Sequence, residues 1–264
     1  MNRIEQHFSE LKKNNEKALI LFLTAGDPSL EATFDIMSAL AQNGADCIEI
    51  GVPFSDPVAD GPVIQRATSR AIQNNVKLDD ILTLIAKFRQ FYETPLVCMG
   101  YFNPIIRYGE ENFCQAFHQA GGDGLIIADL PYEEGENMET ICRQNDVSLI
   151  YLLAPEIGSE RTQKILDASS GFVYCVSHFG TTGTNEGPDV HVNQVVRSLK
   201  SMTSLPVAVG FGISSLEKAK EMSDETDGII IGSWLLQELE KTNDKARKAA
   251  EFARSAKEAI ANQG

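Results

Sequence analysis

Short, continuously apolar runs alternate along this chain with longer stretches whose apolar residues recur every three or four positions. The runs cover 19–24, 47–51, 96–100, 124–128, 148–153, 172–177, 207–210 and 228–231. Unbroken apolar character, as opposed to strict alternation, predicts parallel strands buried on both faces. The stretches between them predict amphipathic helices over 30–42, 78–92, 110–119, 133–144, 161–168, 192–200 and 215–222, with a last helix from about 244 to 261. In that last helix the Glu, Lys and Arg residues read as a solvated face. Residues 1–17 are polar and helical in pattern. Asp27-Pro28 reads as a helix opening, with Asp as N-cap and Pro in the first turn.

Eight strand–helix units in 264 residues predict an α/β fold, a (β/α)8 TIM barrel with an extra N-terminal helix, as a single domain spanning 1–264. A doubly wound sheet is the main rival. No G-x-G-x-x-G follows the first strand, which weakens the dinucleotide-binding version of that rival. Segments 44–50, 122–127 and 226–231 echo one another as turn, acid, then strand. They are the punctuation of a strand–helix repeat and do not indicate a solenoid.

Composition narrows the picture further. A hydrophobic content of 43% supports a real core. The net charge of −14 argues against a nucleic-acid partner but leaves room for a small anion held by backbone N–H groups. The five cysteines include no C-x-x-C pair and read as buried, reduced thiols. The four histidines lack ligand spacing, so no metal is expected. Residues 1–17 lack the apolar centre of a signal peptide, and no stretch is long enough to cross a bilayer. A cytoplasmic protein without membrane attachment is expected.

Three features carry candidate chemistry. Glu49 is a carboxylate inside an apolar strand, and Asp60 lies on the Pro- and Asp-rich loop that follows. An ionised carboxylate is costly to bury unless it is paired or its pKa moves, so Glu49 reads first as an acid–base group. By the period of two it shares a strand face with Cys47 and Gly51. The plainer alternative is a Glu paired to a base between strands and helices, although no basic residue lies in the adjacent strand runs. Asp60-Gly61 on its own would read as an ordinary turn. The second feature is glycine-rich: residues 210–214 follow the seventh strand, and Gly232-Ser233 follows the eighth and opens a short helix. Loops at those two places are the usual phosphate site of a barrel. The third is the loop 177–188, long and rich in Gly and Thr, which reads as a lid. In it Thr182 is placed to donate to Asp60 and the Gly183 N–H to reach a phosphate, whereas His178 reads as an ordinary loop histidine.

These stretches resemble the tryptophan synthase alpha subunit family over nearly the whole chain. The most specific match is Glu49-Ile50-Gly51-Val52-Pro53-Phe54-Ser55-Asp56-Pro57-Val58-Ala59-Asp60-Gly61-Pro62, supported by residues 23–28, 99–104 and 210–215. The resemblance implies a carbon–carbon lyase of tryptophan biosynthesis. It would cleave indole-3-glycerol phosphate to indole and glyceraldehyde 3-phosphate in an aldol-type reaction. It also implies a beta-subunit partner in an alpha2-beta2 heterotetramer, with pyridoxal phosphate in that partner and no cofactor in this chain. Carried over, Glu49 protonates indole C3 and shuttles protons from the glycerol hydroxyl, and Asp60 holds the indole N–H. Phe22, Ile64, Tyr101, Tyr174 and Phe211 would line the indole pocket, with Tyr174 also bonding near Glu49. Gly183, Gly212, Gly232 and Ser233 would hold the phosphate.

Two departures stand in the lid. Thr181 occupies a position where the family usually has Val, and His178 follows Ser177 where many relatives carry Arg. Phe54, Pro57, Val58, Phe102, Pro104 and Ile105 are apolar residues on loops of the catalytic face and are expected to dock the partner. Another phosphate-binding barrel would lean on a catalytic Lys or paired Asp residues at the first and fifth strands, and neither is present. A purely docking subunit would not need both Glu49 and Asp60.

Overall fold

The computed structural model describes residues 2–154, 160–176, 190–210 and 212–261. Its strands are β1 (Ala18–Thr24), β2 (Cys47–Gly51), β3 (Leu96–Gly100), β4 (Gly124–Ile127), β5 (Ser148–Leu149), β6 (Leu152–Leu153), β7 (Val173–Val176), β8 (Val207–Gly210) and β9 (Gly228–Ile231). Every pairing is parallel, in the order β5-β4-β3-β2-β1-β9-β8-β7-β6. The two ends of that order are consecutive in the chain, so segment 148–153 closes the sheet into a barrel. The predicted fifth strand is therefore two short ladders, not one. Its first half bonds to β4 and its second half to β7. Between them Ile150 buries in the lumen cluster, and Tyr151 turns outward to donate to Glu139 at 2.9 Å.

The helices are α1 (Arg3–Lys13), α2 (Leu30–Gln42), α3 (Pro62–Gln73), α4 (Leu78–Arg89), α5 (Phe102–Tyr108), α6 (Glu110–Ala120), α7 (Glu136–Gln144), α8 (Glu160–Ala168), α9 (Val190–Met202), α10 (Leu216–Ser223), α11 (Ser233–Glu240) and α12 (Lys245–Ile260). Most form an outer layer whose apolar stripes meet the outward faces of the strands. The exception is α1. Its Ile4, Phe8 and Leu11 share one helix face and enter the lumen beside Ile20, Val97, Ile126 and Phe172. The Phe8 and Phe172 rings lie 5.6 Å apart. The extra N-terminal helix is thus a plug for the end of the barrel opposite the strand C-termini.

The acid-then-strand echo has a structural cause. Asp46, Asp123 and Asp227 precede β2, β4 and β9, and each accepts a backbone N–H at the start of the neighbouring strand: Leu19 at 2.7 Å, Leu96 at 2.8 Å and Val207 at 2.9 Å. Cations complete each carboxylate: Lys257 for Asp46, which the His7 ring also meets at 3.0 Å, Arg3 and Arg89 for Asp123, and Lys200 for Asp227. Lys257 is accordingly an exception to the solvated face predicted for the last helix.

One helix start differs from expectation. Asp27 is not the N-cap of α2. Ser29 is, with its Oγ accepting from the Ala32 N–H at 3.1 Å. The Asp27-Pro28 bond is cis, and Asp27 faces Arg70 on α3 instead. Two further N-caps, Ser215 and Asp244, fall where the sequence places helix starts. All five cysteines are buried and free.

Candidate active site

The site grows from register. On β1 and β2, Phe22 pairs with Glu49, and Glu49 with Val97 on β3. Alternation turns Ile20, Phe22, Cys47, Glu49 and Val97 toward the lumen. Gly51, two residues beyond Glu49, is where Phe22 needs space. A Cβ there would stand 2.5 Å from Phe22 Cζ. Gly210 does the same for Tyr174, whose hydroxyl would lie 2.5 Å from an added Cβ. The missing side chains leave room for the Phe22 and Tyr174 rings.

Glu49 is 1% exposed, and neither carboxyl oxygen has a hydrogen-bond partner among the described residues. Burial, reinforced by the negative charge of Asp60, pushes its pKa up to about 8. A neutral acid is therefore the resident form near neutrality. Asp60 lies at the end of the β2–α3 loop, one residue before Gly61 opens α3. Burial raises it to about 6, and the hydrogen bond from Tyr101 pulls the other way. Tyr101 stands at the start of α5, where its hydroxyl also accepts the Ala59 N–H at 3.0 Å, and Phe54 stacks on its ring at 5.1 Å. Gln65 pins the same loop by donating to the Asp60 carbonyl at 2.8 Å.

Glu49 lies close enough to Asp60 for the charge of one to raise the other, and one neutral and one ionised carboxyl side by side can divide acid and base roles. The alternative of a salt-bridged structural Glu49 fails, since no cation touches it among the described residues. An apolar cluster adjoins the acids. Phe22 and Ile64, both predicted, cluster with Val63, Ala67, Leu236 and Met99. Met99 was legible by alternation, two residues after lumen-facing Val97. The α3 and α11 contributors were not, because they depend on helix packing. Tyr174 is buried, with its hydroxyl pKa raised by burial and by Glu49, but it does not hydrogen-bond Glu49.

On the other side of Phe22, Gly232 caps α11 with no side chain on the helix's first N–H groups. A Cβ on Gly232 would lie 3.3 Å from that of Phe22, so this helix start adjoins the apolar cluster. Ser233 is the first residue of α11, and Gly212 holds φ +75° after β8. Thr182, Gly183, Phe211, His178 and Thr181 lie outside the described residues. On the rim, Val58 is 74% exposed and Ile106 54%, with Phe54, Pro57, Phe102 and Pro104 half-buried beside them. Ile105, expected on that surface, instead buries against the barrel, because its helix turns Ile106 outward.

This geometry agrees with comparison to known proteins. The family described as tryptophan synthase alpha chain matches residues 8–263. The chain belongs to the tryptophan synthase alpha chain family. It is 41% identical over 263 residues to the alpha chain of Caldanaerobacter subterraneus subsp. tengcongensis, covering 98% of this chain and 100% of that one. It is 45% identical over 240 residues to that of Carboxydothermus hydrogenoformans, covering 91% and 90%. Among solved structures, the Legionella pneumophila str. Paris alpha subunit superposes with a TM-score of 0.91 at 37% identity, covering 98% of each chain. A Mycobacterium tuberculosis tryptophan synthase chain superposes with a TM-score of 0.91 at 33% identity, covering 98% of each.

Tryptophan synthase alpha chains are lyases of tryptophan biosynthesis that cleave indole-3-glycerol phosphate. They carry no cofactor; pyridoxal phosphate belongs to the beta subunit. The family implies a beta-subunit partner and a small-molecule substrate. Among the described residues no group of three His, Cys, Asp or Glu could hold a metal, and no helix is long and apolar enough to cross a membrane.

Proposed function

We propose that Glu49 and Asp60 carry out the family's carbon–carbon cleavage in this chain. Neutral Glu49 donates its proton to indole C3, making that carbon tetrahedral and leaving positive charge on the ring nitrogen. Asp60, ionised, accepts the ring N–H and stabilises that charge. Glu49, now a carboxylate, takes the proton of the hydroxyl on the carbon attached to C3. That carbon becomes the aldehyde of glyceraldehyde 3-phosphate, the C3–carbon bond breaks, and its electrons restore the aromatic indole. Glu49 ends protonated, so the cycle closes. A placed acid of this kind contributes roughly 10²–10⁴ in rate.

The observation that carries this reading is the unpartnered buried Glu49 carboxyl, held neutral beside a second acid. Phe22, Ile64, Tyr101, Tyr174 and Phe211 are assigned to the indole end. Gly183, Gly212, Gly232 and Ser233 are assigned to the phosphate, and Thr182 to Asp60. Support for the phosphate end is the uncapped start of α11 beside Phe22, where backbone N–H groups and the helix dipole favour an anion. Val58, Ile106, Phe54 and Pro57 suit a docking face for the beta subunit, in an alpha2-beta2 tetramer. The chain is assigned to the cytoplasm and to one barrel domain over 1–264. Mixing the purified chain with indole-3-glycerol phosphate, with and without a beta subunit, tests the reading. Indole should form in both and faster with the partner; no indole in either would reject it.

A further inference from the structure

A four-membered ion cluster links the two ends of the site from outside the barrel. Helix α3 starts beside Asp60 and α11 starts at Gly232, so the spacing between these helices sets the spacing between the two halves of a bound substrate. Near the far end of α3, the Arg70 guanidinium reaches two other segments at once. Its Nε and Nη2 donate to Asp27 Oδ1 and Oδ2, both at 2.7 Å, and its Nη1 lies 3.0 Å from Glu240 Oε1, on the last residue of α11. Arg66, one turn earlier, holds the other Glu240 oxygen at 2.9 Å. Two cations meet two carboxylates. Asp27 lies on the turn after β1, the strand that carries Phe22. Asn74, one turn beyond Arg70, donates to the carbonyl of Gly26 at 3.0 Å and to that of Pro28. The segments bearing Phe22, Asp60 and the helix start at Gly232 therefore converge on one planar fork. A bidentate guanidinium fixes direction as well as distance, which an ammonium in its place does not.

We propose that Arg70 is a positioning residue for the cleavage reaction: by tying Asp27 and Glu240 to α3, it holds the indole-binding end of the site at the correct distance and angle from the phosphate-binding end. It touches no substrate. This rests on the proposed reaction above. Each half-site is built locally, Asp60 by Tyr101 and the anion cradle by the α11 start, so loss of Arg70 leaves each intact and loosens only their relation. Small displacements from productive geometry are costly in rate even when binding survives.

The test compares wild type with Arg70→Met and Arg70→Lys in the purified full-length chain, with titrations of indole, inorganic phosphate and an uncleavable indolylpropyl phosphate. For Arg70→Met, indole and phosphate should each bind within about twofold of wild type, while the joined analogue weakens and kcat falls by about tenfold or more. Arg70→Lys, with the charge but not the fork, should recover only part of kcat. Equal losses for all three ligands would mean general loosening and overturn the proposal, as would an unchanged kcat. If Arg70→Met does not fold, Glu240→Gln, which keeps the Asp27 fork, should show the same split. Wild type that makes no indole would instead remove the underlying reaction, so the two failures are separable.

Discussion

Glu49 has an unusual position for a charged residue: a strand interior, no hydrogen-bond partner among the described residues, and a carboxylate neighbour. The consequences are measurable. Glu49→Gln keeps the shape and removes the transferable proton, so indole release should fall by at least about 10²-fold with the barrel's circular dichroism unchanged. Stability should respond in the opposite direction. The folded pKa of about 8 exceeds the ordinary value of 4.5, so between those pH values the native chain holds a proton that the unfolded chain has lost. Stability from this group is fully present below about pH 4.5 and is lost as pH rises toward 8, at up to about 1.4 kcal/mol per unit. Asp60, raised from 3.8 to about 6, adds a smaller term of the same sign. Glu49→Gln should therefore be more stable than wild type at pH 8 and closer to it at pH 5, as denaturant titrations at the two pH values would show. Tyr101→Phe tests the partner. Without the hydroxyl, the Asp60 pKa should climb above about 6 and carry the acidic limb of the rate profile with it; an unmoved limb would break the link between them.

At the scale of elements, the start of α11 separates structure from binding. Gly232→Asp places an acid at an N-cap, which usually favours a helix, and at the same time sets a negative charge where the phosphate is assigned. Thermal stability should hold within a few degrees while KM rises at least about tenfold; an unchanged KM would move the anion site elsewhere. Elements also show where the sequence was readable. Continuous apolar runs identified the strands because burial on both faces leaves that mark. The same runs could not reveal that 148–153 divides between two neighbours, since apolar pattern reports burial and not hydrogen-bond partner. Asp27-Pro28 carried a plausible cap signal, but Ser29 two residues on offered a competing one, and a cation 43 residues away claimed the Asp. Ile105 and Ile106 are equally apolar in sequence, and only the helix phase decides which faces solvent.

Across the whole molecule, one end of the barrel is sealed for stability and the other left for chemistry. Helix α1 fills the first with Ile4, Phe8 and Leu11. Phe8→Ala should cost about 3–5 kcal/mol in unfolding experiments, yet leave KM near wild type in the folded fraction, because the plug lies at the opposite end from Glu49. The site itself was partly legible. Glu49 stood out as a charge in an apolar run, and Asp60 gained meaning from its place after that strand. The hold of Tyr101 on Asp60 and the fork of Arg70 were invisible, because each joins residues far apart in the chain. The proposed cleavage depends on opposite protonation states for two neighbouring acids, and the pH dependence of kcat/KM for indole release reads those states directly. A bell with limbs near pH 6 and pH 8 is predicted, its alkaline limb falling as Glu49 loses its proton. A rate that keeps rising through pH 8, or that ignores pH from 5 to 9, would contradict it.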